Sequence, residues 1–298
     1  MTTDRRTLAT MRKGLTVLEL LVTIGIITVV MGLILPAVHS ARESARRIQC
    51  QKNLREIGLA LHLHHDTTGD LPRGWTLEVP GVIAEGWAVS ILPWLEQTAL
   101  KEQVSARIAA WNATEPVAWR SGISETPAVF RCPSDSAQQM FELFADEEDD
   151  TDDDGLSASV ILPDDVLVEL PHANYLGVYG TTDPDELGEI DGGGTFIASS
   201  SIRFRDLTNG LSQVAIVAER TARRLPSTWV GFHLQGEDAA GRVLGFSGLG
   251  PNRGDADECE FDSRHPGGIN MLFADGHVRW VADGIDSMIY RGMAHRQQ

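Results

Sequence analysis

The sequence predicts an α+β protein in which one long amino-terminal helix packs on a mainly antiparallel β-sheet. Three observations point there. An apolar stretch from Leu15 to Val38 is followed by a helical recurrence of apolar residues that reaches about His65. The strand formers Val214, Ile216 and Val217 lead into Glu219. Near the carboxyl end, Ile269 to Val281 alternates around Asp275-Gly276, a dipeptide suited to a hairpin turn with positive φ.

The composition sets limits on function. The 298 residues carry a net charge of −17 and are 42% hydrophobic, so a real core is available while a basic nucleic-acid-binding surface is not. That charge suits an extracytoplasmic domain, and one able to bind cations. Cys50, Cys132 and Cys259 match no zinc spacing. An oxidising compartment permits one disulfide with a thiol left over, and three buried free cysteines are the other reading.

Leu15 to Val38 is long enough to cross a hydrocarbon core of about 30 Å as a helix. Arg5, Arg6, Arg12 and Lys13 precede it, which leaves the amino terminus cytoplasmic and the chain beyond the span outside the inner membrane. Glu19 needs its own explanation, because a carboxylate within an apolar span costs roughly 2.5–3.5 kcal/mol. Lys13-Gly14-Leu15 followed by Glu19 resembles the processing site of type IV prepilins. The resemblance implies cleavage after Gly14 by a prepilin peptidase and N-methylation of Leu15. It also implies that Glu19 serves assembly. A free ammonium at a helix amino terminus opposes the helix dipole, and a carboxylate one turn on offsets it, from its own helix or a neighbour's. The plain alternative is a signal anchor. A secretory signal peptide fits less well, since no small-residue cleavage site comes after the apolar run. The expected organisation is a leader 1–14, a transmembrane helix 15–38, a helix continuation 39–66 and an extracytoplasmic α+β domain 67–298.

Along the continuation, Ala41, Ala45, Ile48, Leu54, Ile57 and Leu61 form one stripe. A helix from Leu15 to His65 is roughly 75 Å long. Pro36 removes one of its hydrogen bonds and is a place for a kink. Turn chemistry from Thr67 to Pro72 ends it. His62 and Asp66 stand four apart and suit a metal, although histidines near a helix carboxyl end are favoured by the dipole alone. Trp75, Trp87 and Trp94 read as core against the long helix. A helix from about Leu95 to Trp111 and a short strand from Pro127 ending in a turn at Asp135 come next.

The acidic run 146–155 reads as a solvated loop, yet Asp150, Asp152, Asp154 and Gly155 keep the order of a calcium loop. Ile161 stands where an EF-hand has glutamate, so only a weak surface calcium site is expected. Asp191-Gly-Gly-Gly-Thr195 reads as a flexible turn without the setting of a nucleotide site. Glu219 suits a buried partner for an arginine such as Arg264 better than a catalytic acid. His265, before a Pro-Gly-Gly bend, is placed to bond the backbone of the Asp275-Gly276 hairpin. The alternative is a metal held by His265, Asp275 and His277, with no nucleophile or base motif beside it.

Several blocks extend the resemblance over nearly the whole chain. They are Cys50 to His62, Leu92 to Gln97, Phe130-Arg-Cys-Pro-Ser-Asp135, Asn174-Tyr-Leu-Gly-Val-Tyr-Gly180, and His265 with Asp275-Gly276. Together they resemble a planctomycete-type family of prepilin-like proteins of unknown function, sometimes grouped with solute-binding proteins. This implies a pseudopilin-like structural protein of the inner membrane and envelope or a secretion-associated filament, whose partners are the prepilin peptidase and other pilin-like subunits. The rival is an anchored module that captures a solute or polysaccharide, which a deep aromatic-lined pocket would favour. An enzyme is the least expected class, and no cofactor is expected beyond the calcium of the acidic loop.

Overall fold

A computed structural model describes residues 16–77, 81–113, 123–146, 166–185, 191–198 and 200–297. The processing site Lys13-Gly14-Leu15 and the calcium candidates Asp150, Asp152 and Asp154 lie outside the described residues. In chain order the elements are helix α1 (Val17–Thr68), strands β1 (Trp75–Leu77) and β2 (Ile83–Gly86), and helices α2 (Trp87–Ile91) and α3 (Thr98–Ala113). Strands β3 (Met140–Phe144), β4 (Val166–Ala173), β5 (Tyr175–Gly180) and β6 (Ala215–Glu219) come next. The chain continues through β7 (Ser227–Thr228), β8 (Gly231–His233), β9 (Leu244–Phe246), β10 (Gly268–Phe273) and β11 (Val278–Ala282) to helix α4 (Ser287–Ala294). The fold is α+β, as the patterning predicts.

The chain divides into two compact units, the first ending at Ala45 and the second running Arg46–Gln298. In the first, a capping box opens α1. The Thr16 hydroxyl accepts from the Glu19 backbone N–H at 3.3 Å, and the Glu19 carboxylate accepts from the Thr16 N–H at 2.8 Å. Glu19 therefore sits in the first turn of the helix and satisfies a donor that the helix start leaves open. From Val17 to Val38 the large apolar side chains are exposed, and the segment is long and apolar enough to cross a membrane. α1 runs unbroken through Pro36.

In the second unit α1 buries Cys50, Asn53, Leu54, Ile57, Gly58, Ala60 and Leu61. The expected stripe is half right: Leu54, Ile57 and Leu61 are buried, whereas Ala41, Ala45 and Ile48 are exposed. The central sheet has the order β11-β10-β6-β5-β9, antiparallel except for the β5–β9 pair. Alternation assigns its two faces. Leu272 and Val217 join Leu54 and Ile57 in one core, while Leu176, Ile269, Met271 and Phe273 join Tyr290 and Met293 of α4 in another. Gly58 permits the first contact, since a Cβ there would lie 2.9 Å from Leu272. Two three-stranded sheets, β1-β2-β8 and β3-β4-β7, complete the unit.

Other expectations need correction. Pro127 to Asp135 is not a strand: Ala128–Phe130 forms a 3₁₀ turn followed by extended backbone. Asp191-Gly-Gly-Gly is not a free turn either. A Cβ on Gly180 would fall 1.7 Å from the Gly192 carbonyl, so glycines stand where two backbones touch. The aromatic residues serve the core, with Trp87 against Phe196 at 4.9 Å and Trp75 against Phe232 at 5.6 Å. The β10–β11 hairpin forms as its sequence predicts, with Gly276 at φ +87°.

Candidate functional site

Strand register places a polar row across the face of the central sheet that meets α1. Tyr175 of β5 pairs with Glu219 of β6, and Asn270 of β10 pairs with Trp280 of β11. Asn270 joins the two halves by donating its backbone N–H at 2.5 Å and its side-chain amide at 3.0 Å to Glu219 Oε1. The second half of α1 answers residue by residue. Arg47 lies over the Trp280 ring at 4.0 Å, the Gln51 amide donates to Asn270 Oδ1 at 3.1 Å, and the Asn53 amide reaches the Tyr175 hydroxyl at 3.5 Å. A row of such side chains beneath an apolar helix would be costly to bury unpaired, so these pairings fix both position and register.

At the centre of the row the chain gathers residues from four distant segments. His265 Nε2 stands 3.5 Å from Cys132 Sγ and 3.8 Å from Glu219 Oε2, and Cys50 completes the group. All four are buried. Burial pushes the Glu219 carboxyl up to about 7, with the His265 ring and the Asn270 donors offsetting only part of that effect. The Cys132 thiol is pushed up by its hydrogen bond with Cys50 and by burial, and so is not a poised nucleophile.

Asp135 forms the adjoining hub. Its Oδ2 accepts from the Asn174 amide at 2.8 Å and the Ala222 N–H at 2.9 Å, with His172 Nε2 at 3.3 Å. Burial raises this carboxyl, but those donors outweigh burial and hold it below the usual carboxylate range. Asn174 also accepts from the Cys132 N–H at 2.9 Å and donates to the Arg220 carbonyl at 3.0 Å. Thr221 donates to Asp262 through both its N–H and its hydroxyl at 2.7 Å. The fully buried Arg220 is spent on carbonyls of Leu244, Cys259 and Gly241 and on the Ser227 hydroxyl. No water-sized space remains among Cys132, Asp135, Asn174, Glu219 and Asp262.

These contacts rearrange the roles expected from sequence. Glu219 is served by Asn270 and His265, while Arg264 stands 3.7 Å from Asp135 instead. The His265 ring meets Cys132, Ser134 and Glu219, and lies 6.5 Å from the ring of Trp280 on the returning strand of the hairpin. Asp275 and His277 pair with each other at 2.5 Å on an exposed turn, so they do not gather with His265 as the alternative metal reading requires. Of the histidines ending α1, His62 and His65 stack on Phe204 at 4.6 and 4.3 Å, and His64 Nδ1 lies 3.0 Å from the Asp70 carbonyl. All three cysteines are buried thiols, with Cys259 near Asp185 and away from the other two.

The residues that sequence reasoning passed over are Asp135, His172, Asn174 and Asn270. One signal was available: Asn174 directly precedes Tyr175 inside a continuous buried stretch, where a polar residue demands a partner. Elsewhere surface depressions occur, two of them of about 450 and 640 Å³. The first is lined by Phe141, Phe144, Glu169 and His172 among others, and the second by Asn53, Glu125, Thr126 and Arg131 among others. Neither is the deep aromatic pocket that solute capture calls for.

No curated protein and no solved structure matches the chain. A family model labelled SBP_bac_10 and described as a protein of unknown function (DUF1559) matches residues 39–288. That span holds every residue of the polar row and of the Asp135 hub, and the chain belongs to this family.

Proposed function

We propose that the protein is a membrane-anchored, pseudopilin-like assembly protein whose apolar half-helix packs in lipid and against like helices. The observation that carries this reading is the exposure of the large apolar side chains from Val17 to Val38. The Lys13-Gly14-Leu15 site and Glu19 add the resemblance to prepilins. In the assembly, Glu19 caps its own first turn and offsets the Leu15 ammonium of a neighbour. Mass spectrometry of the protein from the envelope fraction tests processing, and an N-methylated amino terminus at Leu15 is expected. An intact chain beginning before Gly14 would remove the prepilin reading. Glu19→Ala is expected to leave insertion intact and to lower crosslinking between subunits, and equal crosslinking would indicate a plain anchor.

The label of the family favours a second reading, an anchored solute-binding module. The groove of about 640 Å³ beside Asn53 and Arg131 is the place where it would act. The groove is open and has no aromatic side chain in its lining, which makes assembly the preferred reading.

A further inference from the structure

We infer that Cys50, Cys132, Glu219 and His265 form a structural zinc site that staples α1 to the central sheet. The four ligand atoms lie within 4.8 Å of one another, and none of the four residues is more than 5% exposed. Ligands of a tetrahedral zinc, bound at about 2.0–2.3 Å, are separated from one another by about 3.3–3.8 Å. His265 Nε2 already stands 3.5 Å from Cys132 Sγ and 3.8 Å from Glu219 Oε2. Binding has to draw the rest of the set, within 4.8 Å, in to that spacing.

A second observation points to a cation. Glu219 Oε1 accepts two hydrogen bonds from Asn270, while at the buried Oε2, turned toward His265, no donor among the described residues meets hydrogen-bond geometry, although the Ser263 hydroxyl lies near the carboxylate. A buried carboxylate oxygen without a donor is costly, and a bound cation removes that cost. The surrounding contacts orient the ligands as outer-sphere partners do. Ser134 Oγ faces His265 Nδ1 at 3.4 Å, which leaves Nε2 to the ligand side, and Asn174 holds the Cys132 backbone. Two sulfur ligands exclude calcium and magnesium and favour zinc. Four protein ligands with no open coordination position indicate a structural rather than a catalytic site. Binding sends the two thiol protons, and any proton on Glu219, to solvent. The ligands come from α1, from the segment after the Ala128–Phe130 turn, from the end of β6 and from the approach to β10, so the ion would close the seam at its middle.

Elemental analysis of the full-length protein, purified in detergent without chelators, tests this. One zinc per chain is expected, retained in Cys259→Ser and lost in Cys132→Ser and His265→Ala. A milder variant guards against misfolding: Glu219→Gln keeps an oxygen for Asn270. Cobalt titration of the metal-stripped wild type is expected to give thiolate charge-transfer and intense tetrahedral d–d bands, with Glu219→Gln binding cobalt at least about tenfold more weakly. A folded wild type that neither contains zinc nor takes up micromolar Zn²⁺ overturns the site. Unchanged zinc in Cys132→Ser does so as well. A Cys50–Cys132 disulfide, seen as two thiols that alkylate only after reduction, also overturns it.

Discussion

The two halves of α1 are both helical and both carry large apolar side chains, yet they answer to different surroundings. Between Val17 and Val38 the large side chains are exposed, Leu33 at 71%, and the segment has only Glu19 among the charged types. Between Arg47 and Leu61 the helix is much more polar, yet Leu54, Ile57 and Leu61 are wholly buried and Arg47, Gln51 and Asn53 each have a partner in the sheet. Apolarity alone does not tell where a helix finds cover. The mixed half is recognised by its own chain because its polar groups specify a register, whereas the uniformly apolar half suits lipid or a like helix that demands none.

Three substitutions sharpen this contrast, read as the stability of the second unit in the detergent-solubilised chain. Asp135→Ala is expected to cost the most, roughly 3–5 kcal/mol, because it strips a buried, hydrogen-bonded charge from its donors. Its pH dependence gives the sign. The folded-state pKa of Asp135 is depressed, so its contribution is present above the unfolded carboxylate pKa and lost as pH falls through the folded value. The gap between wild type and variant should therefore be constant from about pH 5 to 7 and narrow below about pH 4. A gap that widens in acid would show that Asp135 is not the charged hub.

Leu54→Ala comes second, at roughly 2–5 kcal/mol for a fully buried leucine. The same change at Leu21, which is 57% exposed, should stay within about 0.5 kcal/mol. Equal costs at the two positions would break the division of α1 that the comparison rests on. Arg47→Ala is the smallest, about 0.5–2 kcal/mol for a cation–π contact over Trp280. A Trp280→Leu background should abolish that loss in a double-mutant cycle, and full additivity would leave the contact without weight.

How far the sequence could be read depends on the range of the interaction. The β10–β11 hairpin was legible because alternation and Asp275-Gly276 are local, and β6 because its strand formers are contiguous. The stripe on α1 was legible only where the sheet covers it: Ile48 obeys the same spacing as Leu54 and is 64% exposed. At Pro127 to Asp135, extended-looking residues take a 3₁₀ turn that presents the Arg131 carbonyl to Asn53 and the Cys132 N–H to Asn174. His265 was singled out from its motif, while its partners Cys132, Ser134 and Glu219 come from segments far away in sequence.

By itself, the sequence determined the elements: an apolar span followed by a mixed helix, a hairpin with a glycine at positive φ, and a buried strand ending in a carboxylate. Those arise from side-chain periodicity and backbone sterics, which act over a few residues. Only the tertiary structure decided that Cys50, Cys132, Glu219 and His265 meet, and that Asp135 rather than Glu219 stands beside Arg264. Each of those pairings depends on strand order and on how α1 is turned toward the sheet. Both are settled when buried polar groups from distant segments find partners together, a condition on the whole chain that no single segment carries.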